Sequence, residues 1–209
     1  MKITVIGTGN MGSAFAKQLD AAGHTVRITG RNMAKANTLA ESLANVSAYA
    51  AADALGDSDV VIVATAYLDA VPALQSLGDL TGKVVIDITN PLSADYMSLT
   101  IGHVTSAAEE ISKAVPAAHV VKAFNTLFAQ VLADGPLFAD NQRGSVFVAG
   151  DSEHAKQTAV SLAQSLGWNT IDAGDLVNAR YLEPLAGLNI YLGYGAGLGT
   201  LVAPVWLNK

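Results

Sequence analysis

Near the amino terminus, Gly7-Thr8-Gly9-Asn10-Met11-Gly12 spaces three glycines as G-x-G-x-x-G. The run follows the apolar stretch from Lys2 to Ile6. It precedes Met11, Ala14, Phe15, Gln18, Leu19 and Ala22, which recur at helical spacing. At such a strand-to-helix junction each glycine has a separate use. Gly7 permits a tight turn, Gly9 lets backbone approach a ligand where a Cβ would stand, and Gly12 lets the helix pack closely on the strand. The helix then opens with free N–H groups and the positive end of its dipole, which together receive phosphate. The pattern therefore points to a dinucleotide whose pyrophosphate rests on residues 7–12.

The choice of dinucleotide depends on the end of the next strand. An acidic residue about 20 positions past the motif would hold an unmodified ribose 2′-hydroxyl, as in NAD. The sequence there is Thr29-Gly30-Arg31-Asn32, with no carboxylate. Arg31 offers a fork of donors suited to a 2′-phosphate. Lys35 falls in the first turn of the following helix, where a cation opposes the dipole unless a phosphate offsets it. Asn32 stands at the start of that helix, with a side chain suited to cap it, and is counted with the cofactor-holding residues. NADP(H) is the expected cofactor.

Three further strand ends carry small, amide or hydroxyl residues suited to ribose and nicotinamide. They are Ala64-Thr65-Ala66-Tyr67, Thr89-Asn90-Pro91 and Ala123-Phe124-Asn125-Thr126. From these, Ala64, Thr65, Ala66, Asn90, Pro91, Ala123 and Asn125 join the expected cofactor contacts. No residue is assigned as an acid or base. His24 and His154 read as structural and solvated, while His103 and His119 could approach strand ends. No histidine pair has metal-ligand spacing, so no metal site is expected, and no G-x-S-x-G elbow is present. Direct hydride transfer needs no such group, because the cofactor carries the chemistry and the protein orients it. Tyr191, Tyr194 and Trp206 could stack on an acceptor ring, or could serve helix or dimer packing.

The elements that must hold these residues follow from hydrophobic periodicity. Strands are expected over Lys2–Ile6, Thr25–Thr29, Asp59–Ala64, Lys83–Ile88, His119–Phe124, Ser145–Ala149 and Asn169–Asp172, with a weak strand and turn over Tyr49–Ala54. Helices are expected from Met11 to about Gly23, from Asn32 along Ala36, Leu39, Ala40 and Leu43, over Val71–Leu77, and from Ser152 to about Leu166. This alternation predicts an α/β fold, a Rossmann-like, mainly parallel doubly wound sheet with a short helical segment over 176–209. A single domain over 1–209 is expected.

Composition agrees with that fold. Of 209 residues, 51% are hydrophobic and 14% charged, as suits strands buried on both faces. The net charge of −6 argues against nucleic acid, and the absence of cysteine excludes thiol chemistry and fits a cytoplasmic protein. The uncharged stretch Pro184–Leu207 is long enough to span a bilayer, but five glycines, Asn189 and Pro204 favour a buried helical segment. Gly193 and Gly197, four apart, would allow close approach of another helix.

The chain resembles the NADP oxidoreductases that depend on a deazaflavin coenzyme. The resemblance rests on residues 7–12 with Gly30-Arg31, on Asp87-Ile88-Thr89-Asn90-Pro91, and on Val121-Lys122-Ala123-Phe124-Asn125-Thr126. It extends to Val148-Ala149-Gly150-Asp151 and Arg180-Tyr181-Leu182-Glu183-Pro184-Leu185. The soluble domain of the six-transmembrane metalloreductases is similar. The Gly-Asn-Met-Gly turn also resembles pyrroline-5-carboxylate reductase and the hydroxyacid dehydrogenases, but those need a substantial helical domain, where only a short apolar segment is expected here after the last strand. The resemblance implies a Rossmann-like homodimer that passes hydride between NADPH and a small-molecule, flavin-like acceptor. Thr8, Gly9, Asn10, Met11, Arg31 and Lys35 would hold the cofactor. It places the acceptor pocket partly in the C-terminal segment, which here is short and glycine-rich, so FMN and FAD stand beside the deazaflavin. A non-catalytic NADP(H) sensor and a membrane-anchored reductase are the competing readings.

Overall fold

The computed structural model describes residues 1–206. Eight strands form one sheet in the order β3-β2-β1-β4-β5-β6-β7-β8. They are β1 (Lys2–Ile6), β2 (Thr25–Thr29), β3 (Val46–Ala48), β4 (Val60–Val63), β5 (Val84–Asp87), β6 (His119–Ala123), β7 (Ser145–Gly150) and β8 (Asn169–Asp172). Neighbours run parallel except at β6–β7, which pair antiparallel. Every residue of β4, β5 and β7 is buried, which explains their near-continuous Val and Ile. The strand order reverses between β1 and β4, and ligands of open α/β sheets bind outside the carboxyl ends at such a reversal.

Helices cover both faces. On one face lie α1 (Asn10–Ala21), α2 (Met33–Glu41), α6 (Ala129–Asp134) and α7 (Glu153–Ser165). On the other lie α3 (Ala51–Ala54), α4 (Tyr67–Gln75), α5 (Ala107–Ala114) and α8 (Ala179–Ile190). The caps expected at Asn32 and Ser152 form: each side chain accepts from the backbone N–H three residues on.

Four expectations are corrected. The weak strand expected at Tyr49–Ala54 lies earlier, at Val46–Ala48, and Ala51–Ala54 is a helical turn. The helix expected over Val71–Leu77 runs instead from Tyr67 to Gln75, with Pro72 inside it, where no N–H is available to the Leu68 carbonyl. The helices α5 and α6 have no counterpart in the periodicity reading. The C-terminal segment is not a buried helix through to its end. Beyond α8 it makes one π-helical turn, Tyr191–Gly195, and no helix follows through residue 206. Gly197 adopts φ +79°, so it shares no helix with Gly193, which instead packs on the Phe128 ring. Leu207, the last residue of the uncharged stretch, lies outside the described residues. Among the described residues no helix is long and apolar enough to cross a membrane.

One buried charge cluster ties these layers together. Asp87 and Lys122 are direct cross-strand partners on β5 and β6, and Glu183 reaches them from α8. All three are buried. Lys122 Nζ lies 2.6 Å from Asp87 Oδ2 and 2.8 Å from Glu183 Oε1, and donates to the Thr89 carbonyl at 2.7 Å. Three neighbours match the three protons of an ammonium. Glu183 also accepts from the N–H groups of Ala107 and Ala108, at the positive end of α5. That helix end supplies roughly half a charge, which offsets the second carboxylate.

Burial alone would push the Lys122 ammonium toward neutrality, but the two carboxylates override it and hold its pKa above the ordinary 10.5. A raised lysine pKa stabilises the fold fully below the unfolded-state value, and the contribution fades as pH rises through the folded-state value. Lys122→Met strands two buried carboxylates and is expected to cost about 3–5 kcal/mol in urea unfolding at pH 7. On this account the native protein should lose stability as pH rises above 10.5, and this variant should lose less. Equal stability of the two proteins at pH 7 would contradict this account of the cluster.

Candidate active site

The turn after β1 is built by contact with β4. Gly7 has φ +121°, and a Cβ there would stand 2.2 Å from the Ala64 carbonyl oxygen. A Cβ on Gly12 would stand 2.0 Å from the Gly7 oxygen. Both positions are closed to any side chain. Gly9 differs, since nothing lies within 4 Å of its missing Cβ. It is exposed, and it caps α1 without any side-chain bond. The open space above Gly9 and the uncapped helix start leave room and donors for a pyrophosphate.

A cleft of about 690 Å³ opens in front of this turn. Gly9, Asn10, Met11, Ala64, Thr65, Ala66 and Asn90, all among the expected cofactor contacts, line it together with Tyr67 and Thr89. Its far wall is a hairpin over residues 92–99, closed by a bridge between Leu92 and Leu99. A second cavity, of about 210 Å³, adjoins the cleft and shares Met11, Ile88, Asn90 and Tyr96 with it. Asn125, Thr126 and Phe128 line its sheet side, while Asn189 and Tyr194 come from α8 and the turn that follows.

The remaining expected residues lie apart from the cavities. Thr8 packs against Gly30, and Gly7, Gly12 and Pro91 shape the turns from behind. Ala123 is fully buried within β6 and reaches neither cavity, because alternation turns its side chain into the core. The Asn32 side chain is committed to the Lys35 backbone N–H as the α2 cap, which leaves that oxygen less available to a ligand. Arg31 and Lys35 are exposed beyond the cleft. Arg31 pairs with Asp69 at 3.2 Å, with its own side chain 89% exposed, so the pair is screened and easily exchanged for another anion. His119 begins β6, at the end opposite the cleft, and His103 sits exposed in the loop before α5. His24 bonds the N-terminal amine and Ser165, a structural role; burial foremost, with the amine's charge, lowers its pKa.

Two asparagines form the junction of the cavities. Asn90 Nδ2 donates to the Asn125 carbonyl, and Asn125 Nδ2 donates to Asn90 Oδ1 and to the Leu182 carbonyl. Backbone carbonyls only accept, so both amide orientations are fixed. Asn125 Oδ1, Thr126 Oγ1 and Thr89 Oγ1 are then left buried without a partner. An unmet buried polar atom costs about 1–3 kcal/mol; Asn125 and Thr126 stand in the wall of the smaller cavity and Thr89 in that of the cleft. Phe124 holds the turn open: it is fully buried at φ +59°, an unusual backbone for this residue, and its ring packs edge-on to Phe15 of α1 at 5.1 Å.

Sequence reasoning did not find the cluster beneath this junction. Asp87 Oδ1 accepts from Thr89 N–H while Lys122 takes the Thr89 carbonyl, so the end of β5 is held by both its backbone groups. The signal was available: a lysine stands inside the otherwise apolar run Val120-Val121-Lys122-Ala123-Phe124.

Comparison with known proteins agrees with this geometry. The profile of the family described as NADP oxidoreductase coenzyme F420-dependent matches residues 2–91. The F420-dependent NADP reductase of Methanothermobacter marburgensis is 30% identical over 211 residues, covering 92% of each chain. The chain belongs to the F420-dependent NADP reductase family. A solved structure titled as a putative F420-dependent NADP-reductase from Arthrobacter sp. FB24 superposes with a TM-score of 0.85 at 31% identity, covering 96% of each chain. The rat metalloreductase STEAP3 is 32% identical over 185 residues, and the chain spans about a third of the length of the metalloreductases it matches. Members of this NADP reductase family are oxidoreductases, and the fold found here, with its glycine turn at the sheet reversal, is theirs.

The glycines give a paired prediction. Gly7→Ala should lower both the melting temperature and NADPH affinity, because backbone must move. Gly9→Ala should leave the melting temperature nearly unchanged yet weaken NADPH more than about tenfold, because its methyl enters the open space. Calorimetry and NADPH fluorescence titration read the two effects, and full NADPH affinity in Gly9→Ala would contradict the pyrophosphate placement.

Proposed function

We propose that the protein transfers hydride directly between NADP(H) in the larger cleft and a flavin-like acceptor in the adjoining cavity. A deazaflavin is the preferred acceptor, with FMN and FAD as alternatives. The observation that carries this reading is the junction itself. The two cavities share Met11, Ile88, Asn90 and Tyr96, and unpartnered buried oxygens stand on either side, that of Thr89 in the cleft wall and those of Asn125 and Thr126 in the wall of the smaller cavity. A nicotinamide carboxamide in the cleft brings both a donor and an acceptor, which suits Thr89 and Asn90 in the cleft wall.

The pyrophosphate is placed on the α1 start, and the 2′-phosphate on Arg31, with Lys35 nearby. NADPH supplies the hydride. The protein's own part is to align two rings across a shared wall and to exclude water. Among the described residues no His, Asp, Glu, Lys or Arg lines either cavity, which fits a reaction without an obligatory acid or base. The same observation favours a second reading, a non-catalytic NADP(H) sensor.

NADPH should bind far more tightly than NADH, and Arg31→Ala should remove most of that preference, about tenfold or more. NADPH oxidation followed by absorbance against coenzyme F420, FMN and FAD should find an acceptor. Equal affinity for NADH and NADPH in the native protein would overturn the 2′-phosphate placement. Stoichiometric NADPH binding without oxidation by any of the three would favour the sensor.

A further inference from the structure

The acceptor cavity has an opening that its sheet side does not explain. At about 210 Å³ it falls below the 300–1,000 Å³ usual for ligand sites, so a tricyclic acceptor with its side chain would extend to the mouth. Two tyrosines line the cavity, Tyr96 and Tyr194, and they are 63% and 61% exposed. They come from unrelated elements, the 92–99 hairpin and the turn after α8. Phe128, at the cavity's inner side, packs edge-on to Tyr194 at 5.6 Å and 88°, which fixes the orientation of that ring.

Tyr96 is held out by its backbone rather than by packing. It adopts φ +62°, a conformation that costs a bulky residue energy. A small polar knot enforces it. Asp95 accepts from the Ser93 hydroxyl and the Met97 N–H, the Tyr96 N–H donates to the Ser93 carbonyl, and the Ser93 N–H donates to the Ser98 carbonyl. The base of the hairpin is closed by Thr100, which donates through backbone and hydroxyl to the Pro91 carbonyl. The left-handed tip thus sets Tyr96, more than half exposed, where the two cavities meet.

We infer that Tyr96 and Tyr194 are the acceptor-specificity residues, two aromatic jaws that stack on the part of a flat acceptor ring left outside the small cavity. This rests on the hydride-transfer reading above. Asn125 and Thr126 would meet the polar edge of the ring inside, and the tyrosines would cover its faces at the mouth. The arrangement selects for a planar conjugated acceptor over a small carbonyl or imine compound, which the inner cavity could hold alone. Of the three aromatic residues that the sequence offered for stacking, only Tyr194 lines this cavity. Trp206 packs on Phe147, at a different cavity, and Tyr191 lines neither.

The test is fluorescence titration of the full chain, loaded with NADP, with coenzyme F420 and with FMN, beside a titration with NADPH. Tyr194→Ala and Tyr96→Ala should each weaken the better acceptor about threefold to tenfold, the range of one lost aromatic contact. Tyr96→Phe and Tyr194→Phe should bind it as the native protein does, since each keeps the ring. In both alanine variants the loss for the acceptor should exceed any loss for NADPH. Tyr181→Ala, which removes an exposed α8 ring that lines neither cavity, should change nothing. If the native protein binds the acceptor and both alanine variants bind it equally well, or if they lose NADPH and acceptor alike, the inference is overturned. If the native protein binds neither acceptor, the hydride-transfer reading fails and this inference falls with it.

Discussion

A lysine with no access to water holds the site together. Lys122 is clamped between Asp87 and Glu183, and its third proton holds the Thr89 carbonyl. A buried ammonium is tolerable only when its charge and all its protons are met, so each partner constrains the others. Asp87 fixes β5 against β6. Glu183 draws α8 onto the sheet and receives the start of α5. Thr89, fastened by both backbone groups, sets the point where the chain leaves β5 for Asn90.

The helix fastened by this cluster becomes a wall shared by structure and function. Leu182 supplies the carbonyl that orients the Asn125 amide, and Asn189 donates to the Thr126 carbonyl. The residues beyond it, through Tyr194, complete the smaller cavity. From the opposite side, Phe15 of α1 packs on Phe124, whose left-handed backbone directs the chain into Asn125 and Thr126. The helix that opens on the glycine turn and the helix that walls the smaller cavity thus meet at one tetrapeptide, 123–126. Strain at Phe124 is maintained by packing on all sides, a usual sign of a site whose geometry is over-determined.

Much of this was legible in the sequence, and for physical reasons. The alternating glycines, the Val-Ile strands and the missing carboxylate after β2 are local patterns, and the structure returns the turn, the parallel sheet and the exposed Arg31 from them. Other features are not carried by residue type and spacing alone. Strand alternation turns the Ala123 side chain into the core, and the Asn32 side-chain oxygen caps α2. The Lys122 cluster joins residues 35 and 61 positions apart, and periodicity registers only that a lysine interrupts an apolar run. Tyr96 lies in a segment without period, and its importance depends on a hairpin conformation and on two cavities that exist only in the folded chain. The apolar segment after Pro184 looked like one long buried element, because hydropathy does not distinguish a helix from a glycine-broken turn that leaves Leu198 and Leu201 exposed.

The central claim is that hydride passes directly from the larger cleft to the smaller cavity, with no group of the protein as an intermediate carrier. Transfer of deuterium tests it most directly. NADPH labelled at one or the other C4 position is oxidised with coenzyme F420 in ordinary water, and the reduced acceptor is weighed by mass spectrometry. A carbon-bound label on the deazaflavin does not exchange with water. The account predicts that the label from one C4 position, and not the other, is recovered nearly completely in the acceptor. Label lost to water, or drawn equally from both positions, would contradict it.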